Sequence, residues 1–100
     1  MEMEQVIMGI IMHSGDAKSN AMEAIQHAKA NEMEEARDLL EKAEQELLEA
    51  HGKQTGLIQK EARGEKTELS LLLVHAQDHL MTATTFKDLA KEFIDLYQRL

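Results

Sequence analysis

The chain has 100 residues with no Pro, Cys or Trp, and its 19 acids against 11 bases give a formal charge of −8. A length of this order makes one small domain, residues 1–100, whose core is either its own or shared with partner chains. The lack of cysteine excludes a disulfide framework, a thiolate metal site and a cysteine nucleophile, and the acidic excess argues against nucleic acid, whose phosphates need Lys and Arg. The opening Met1-Glu2-Met3-Glu4 is acidic where a secretory signal is basic, and no apolar run approaches the ~18 residues of a membrane span. A soluble, cytoplasmic protein is the expectation. With Phe86, Phe93 and Tyr97 as the only aromatics, Ala, Leu, Ile and Met must fill the core, and this composition favours helix almost throughout.

Three amphipathic segments predict an all-α chain with helices over about 4–29, 32–62 and 67–99. In the first, Val6, Ile7, Ile10, Ile11, Ala17, Ala21, Ile25 and Ala28 recur at helical spacing. His13-Ser14-Gly15-Asp16 interrupts that stripe and marks either a bend or a polar contact. Asn31 with Glu34 reads as an N-cap and its reciprocal acid, opening a second helix near Glu32. Its stripe runs through Met33, Ala36, Leu39, Leu40, Ala43, Leu47, Ala50, Gln54, Leu57 and Ile58. Ten acids against five bases over 32–65 imply a solvated outer face. Gly52 and Gly56 weaken this helix by ~1 kcal/mol each relative to Ala, and either permit close packing or mark a less stable end. After the short loop Arg63-Gly64-Glu65-Lys66, Thr67 is the expected N-cap of the third helix. Short loops between long helices imply an antiparallel three-helix hairpin.

The third helix is too apolar for such a hairpin alone. At ~100° per residue, Leu71, Val74, Met81, Thr85, Leu89, Phe93, Leu96 and Leu100 fall around Asp78, while a second apolar arc carries Leu69, Leu72, Ala76, Leu80, Ala83, Phe86, Ala90, Ile94 and Tyr97. One arc can face the hairpin; the other calls for another chain, in an oligomer whose axis is lined by third helices. Asp78 lies at the centre of the oligomer stripe. Symmetry copies of a buried carboxylate favour a shared proton or a bound hard cation, unless Asp78 sits at a wet helix end or meets a Lys or Arg.

His75 and His79 stand at i, i+4, with Asp78 beside them. A zinc site would need further ligands, and Ala76 stands where a metallopeptidase helix carries Glu. General-base hydrolysis would need a nucleophile or an activated water that no motif supplies. Covalent phosphoryl transfer through an imidazole nitrogen would need nearby donors, for which His79, Gln77, Thr82 and Ser14 are candidates. Spacing alone leaves these chemistries open.

The string Leu71-Leu72-Leu73-Val74-His75-Ala76-Gln77-Asp78-His79-Leu80-Met81-Thr82 closely resembles the phosphorylation motif of the lactose/cellobiose-specific enzyme IIA family of the bacterial sugar phosphotransferase system. The resemblance extends to Met8-Gly9-Ile10-Ile11 with Ser14-Gly15, and to Glu49-Ala50-His51 with Gln54. It implies a homotrimer of three-helix protomers in a nine-helix bundle, with third helices innermost. It further implies that His75 accepts a phosphoryl group from the phosphocarrier protein HPr and passes it to a cysteine of the cognate enzyme IIB, during uptake of a cellobiose-, lactose- or chitobiose-type sugar. His79 and Gln77 would support His75 in a groove between protomers, with Leu72, Ala76, Leu80 and Phe86 as rim or supporting residues. Asp78 would bind one divalent cation per trimer, Mg2+, on the axis. Membrane contact would be indirect, through the transporter complex. His13 departs from the Asn usual in the family. The competing expectation is a non-enzymatic helical oligomerisation module with an axial metal-binding Asp ring; a two-component histidine-phosphotransfer domain lacks its His-x-x-Lys-Gly pattern here.

Overall fold

The computed structural model describes residues 2–100; Met1, the first residue of the expected unit, lies outside them. Three helices account for almost all of the described chain: α1 (Glu2–Lys29), α2 (Met33–Ala62) and α3 (Leu71–Arg99). At 1.5 Å rise per residue each is roughly 42–45 Å long, so the 51 × 21 × 19 Å envelope holds them side by side. Contacts between α2 and α3 run in opposite chain order: Arg37 meets Asp95, Glu44 meets Lys87, and Gln54 meets Gln77. His13 meets Glu46 while Gly9 lies under Lys53, so α1 and α2 are antiparallel too. The all-α hairpin expected from the three stripes is the fold observed.

The buried positions follow a stricter rule than helical periodicity. They are 7, 10, 14, 17, 21, 24 and 28 on α1, then 36, 40, 43, 47, 50 and 54 on α2. On α3 they are 76, 80, 83, 90 and 94. Alternating steps of three and four are the heptad seam of coiled-coil packing. Ala36, Ala43 and Ala50 on α2, and Ala76, Ala83 and Ala90 on α3, are all wholly buried at seven-residue intervals. A side chain as small as a methyl group at these knobs permits close approach of neighbouring helices. Polar residues enter the seam at Ser14 and Gln54, and Lys87 occupies the α3 position between Ala83 and Ala90. α1 packs more extensively on α2 and on α3 than those two pack on each other.

The ends correct two sequence readings. Asn31 caps nothing: it takes φ +64°, and the Glu32 and Asn31 N–H groups donate back to His27 and Ala28 carbonyls at 2.8 and 3.0 Å. It is the left-handed residue that closes α1, a conformation Asn tolerates better than most side chains. Gly64 (φ +90°) closes α2 in the same way, with Glu65 and Gly64 N–H bonded to Lys60 and Glu61 carbonyls. α3 opens at Leu71 rather than near Thr67. Ser70, not Thr67, is its cap, its Oγ accepting the Leu73 N–H at 3.1 Å; serine is the better N-cap of the two.

Around His13-Ser14-Gly15-Asp16 α1 continues unbroken, so the polar contact rather than the bend is realised. His13 Nδ1 lies 2.6 Å from Glu46 Oε1. Gly52 and Gly56 have nothing within 4 Å of where a Cβ would stand, so neither serves close packing. Among the described residues no helix is long and apolar enough to cross a membrane.

Candidate functional site on the third helix

α3 presents three surfaces, and the residues singled out in the sequence divide among them. Ala76 and Leu80 face the hairpin core and are essentially inaccessible, so they support the site from below rather than forming its rim. Phe86 packs half-buried against the same core, while Leu72 reaches the surface. Away from the core runs an exposed stripe of Leu71, Val74, Asp78, Met81, Thr85, Leu89, Phe93, Leu96 and Leu100. Phe93 is 45% exposed and Leu89 52%, an unusual state for large apolar groups at helical register on one face.

His75 and His79 occupy the flank of α3 toward α1. Their rings are nearly parallel, 13° apart in tilt with centroids at 5.5 Å. A Cβ on Gly15 of α1 would stand 3.5 Å from His79 Nε2, ordinary van der Waals distance, so α1 backs the His79 ring directly. His75, one turn earlier, is exposed. An accessible imidazole braced by a second, half-buried ring is suited to nucleophilic chemistry on a substrate arriving from solvent.

Gln77 lies elsewhere. At 100° per residue it is about 160° round the helix from both histidines. It faces α2, where Gln54 Nε2 donates to its Oε1 at 3.0 Å. One chain therefore brings His75 and His79 together and holds Gln77 on the opposite flank. Of the other candidate donors, Thr82 has given its single hydroxyl proton to helix carbonyls, lying 2.9 Å from that of Asp78 and 3.1 Å from that of His79. Ser14 is wholly buried, its Oγ without a hydrogen-bond partner, and cannot meet a substrate outside the bundle. His13 is engaged by Glu46 on the far side of α1 from α3's histidines.

Asp78 sits two turns into α3, not at a wet helix end, and forms no ion pair within the described chain. Among the described residues no group of three His, Asp or Glu side chains converges to hold a metal. A hard carboxylate in an exposed apolar stripe fits a cation only if other chains contribute the remaining oxygens. Gln54 and Lys87 are the residues sequence reasoning underweighted: each is a polar side chain at a seam position, and that mismatch was the available signal. Lys87, 18% exposed, lies 2.8 Å from Asp88 and 3.7 Å from Glu44. The hydrogen bond to Asp88 is the main cause that raises its pKa, against partial desolvation. With Leu47, Leu48, His51 and Thr84 it lines a groove of about 390 Å³ between α2 and α3, which neither His75 nor His79 touches.

A three-helix hairpin with an exposed histidine stacked on a second, half-buried one has the features of a helical group-carrier protein. Residues 5–98 match the family described as the lactose/cellobiose-specific IIA subunit of the phosphotransferase system, and the chain belongs to that family. It is therefore a phosphotransferase component. The lichenan-specific phosphotransferase enzyme IIA component of Bacillus subtilis is 59% identical over 99 residues, covering 99% of this chain and 90% of that one. The crystal structure of the cellobiose-specific enzyme IIA of Bacillus anthracis superposes with TM-score 0.93 at 58% identity, covering 96% and 88% of the two chains. The IIA(chitobiose)–HPr complex from the N,N'-diacetylchitobiose branch of the Escherichia coli phosphotransferase system gives 0.86 at 40% identity, covering 99% and 96%.

Proposed function

We propose that this IIA subunit carries a phosphoryl group on His75, taking it from phosphorylated HPr and delivering it to a cysteine of its cognate enzyme IIB in the cytoplasm. The observation that carries this reading is the exposed His75 ring braced by His79 on a helix of a IIA-family fold. A neutral imidazole nitrogen attacks the donor phosphohistidine in line; the new N–P bond forms as the donor's N–P bond breaks and its imidazole leaves. The second transfer exchanges N–P for S–P on the acceptor thiolate. Such transfer depends on positioning and on hydrogen-bond donors for the three equatorial oxygens. The likeness to a IIA solved with HPr supports the donor, and the names of the relatives support a β-linked sugar of the cellobiose, lichenan or chitobiose kind.

The exposed stripe of α3 supports a homotrimer, nine helices with α3 innermost. In a parallel cyclic ring the His75 flank of one α3 meets the Gln77 flank of the next, because Asp78 lies between the two flanks and points to the axis. The amide of Gln77 from a neighbouring copy thereby becomes a donor to the phosphoryl oxygens on His75. Three Asp78 carboxylates on the axis would hold a hard divalent cation such as Mg2+, whose charge offsets their mutual repulsion. The test is incubation with phosphorylated HPr. An acid-labile, stoichiometric adduct is expected on the wild type and none on His75→Ala; an adduct that survives His75→Ala overturns the assignment.

A further inference from the structure

We propose that Gln54 on α2 is a positioning residue for phosphoryl transfer, fixing which end of the Gln77 amide faces the transferred group. The proposal rests on the reading that Gln77 donates to the phosphoryl oxygens. An amide is two-faced: its oxygen accepts and its nitrogen donates, and either end can be turned outward. Gln54 is only 8% exposed and sits at a seam position of α2, where an apolar residue would pack. Its Nε2 donates to Gln77 Oε1 at 3.0 Å. With its oxygen so occupied, Gln77 keeps both N–H groups of its own Nε2 for an outside acceptor. The reversed amide would present oxygen lone pairs to a phosphoryl group carrying nearly two negative charges, and would repel it. In this pairing the polarity of Gln77 follows that of Gln54, a buried side chain that never meets the phosphoryl group.

The sign of the effect separates this role from simple packing. Removing one oxyanion donor costs about 10²–10³ in rate. Gln77→Met, which deletes the donor, should slow transfer from phosphorylated HPr by about a hundredfold on that scale. Gln54→Met, near in volume and unable to hydrogen-bond strongly, leaves Gln77 free to turn either way and should cost less than tenfold, about one order below donor deletion. Gln54→Glu offers only acceptors at neutral pH. It should pull the Gln77 nitrogen inward and slow transfer at least as much as Gln77→Met, with recovery as the pH falls and the carboxyl becomes a donor. In the Gln77→Met background Gln54→Glu should add nothing.

Equal rates for Gln54→Glu and Gln54→Met, with Gln77→Met still slow, would overturn the positioning role and leave the Gln77 reading standing. A fast Gln77→Met would overturn both. Should Gln54→Glu fail to fold by circular dichroism, side-chain amide exchange in the ¹⁵N-labelled wild type decides. Rapidly exchanging Gln77 protons are expected, and a Gln77 amide protected as a donor to Gln54 would overturn the proposal.

Discussion

α2 and α3 turn nearly the same seam toward the core and opposite surfaces toward the outside. Both bury an alanine every seventh residue, at Ala36, Ala43 and Ala50 and at Ala76, Ala83 and Ala90. Away from the core α2 shows Glu34, Glu35, Asp38, Glu41 and Glu49 to solvent, whereas α3 shows Val74, Met81, Leu89, Phe93 and Leu96. Water completes the first surface. The second leaves apolar area exposed, each buried side chain of this size being worth about 1.5–3 kcal/mol when covered. The core seam therefore specifies the hairpin, and the outward face of α3 specifies what the hairpin does next.

The largest expected effect follows from placing a charge on each outward face. Phe93→Glu should convert the proposed trimer to monomers that remain helical, because a carboxylate buried without a partner costs several kcal/mol in an interface while Phe93 contributes little to the hairpin core. Glu41→Lys on α2 should leave the assembly unchanged and stability within about 0.5 kcal/mol. Sedimentation velocity measures both. A wild type that sediments as a monomer, or an α2 substitution that dissociates it, would break the contrast. Monomeric Phe93→Glu should also accept phosphoryl slowly, since His75 and Gln77 lie on opposite flanks of a single α3.

How much of this was legible beforehand depended on the physical scale of each signal. The three helices and their inward faces rest on spacing summed over some thirty residues, and the exposed stripe of α3 on apolar width too great for one hairpin; both are redundant signals that tolerate local exceptions. Helix ends rest on one or two residues. Asn31 suits an N-cap and a left-handed C-terminal residue equally, and only the chain reversal after Lys29 selects the second. Thr67 and Ser70 are both residue types that cap helices, one turn apart, and only Ser70 does so here. At the site, the His75 and His79 pairing follows from i, i+4 geometry within a single helix. That Gln77 turns to α2 depends on how α3 is rolled against its neighbours. Sequence spacing lists residues near one another along the chain without saying which flank each occupies.

Asp78 is the exception on the apolar face, and removing it sharpens the contrast in the opposite direction. Asp78→Leu should keep a folded trimer and raise its stability in the absence of metal by about 1–4 kcal/mol, as when buried charges give way to apolar residues. Chelation by EDTA should lower the wild-type melting temperature and leave that of Asp78→Leu unmoved. Wild-type melting indifferent to both chelator and added Mg2+ would remove the cation from the axis. Within the shared seam, Ala83→Leu should cost about 1–3 kcal/mol by overpacking a wholly buried site, while Thr85→Leu, two residues on and facing outward, should not destabilise the hairpin. Urea melts of the two variants in the Phe93→Glu background would separate hairpin from assembly; equal losses would mean that the seam is not the tighter of the two surfaces.

The smallest effect concerns the place where a charged side chain interrupts the α3 seam. Lys87 stands where the heptad expects an apolar residue, and its ammonium is held by Asp88 and, more distantly, Glu44. The Asp88 hydrogen bond raises its pKa in the folded state, so the charged form is favoured by folding. A raised pKa makes this stabilisation fully present below the unfolded value of about 10.4 and removes it as the pH climbs through the folded value. The melting-temperature difference between wild type and Lys87→Met should therefore be flat through the neutral range and shift against the wild type only above about pH 10. Taking the difference cancels titrations the two proteins share. A difference that already changes near neutrality would mean that the acidic partners, rather than the lysine, control this position. A difference that never changes would make Lys87 a spacer whose methylene stem fills the seam and whose charge contributes nothing.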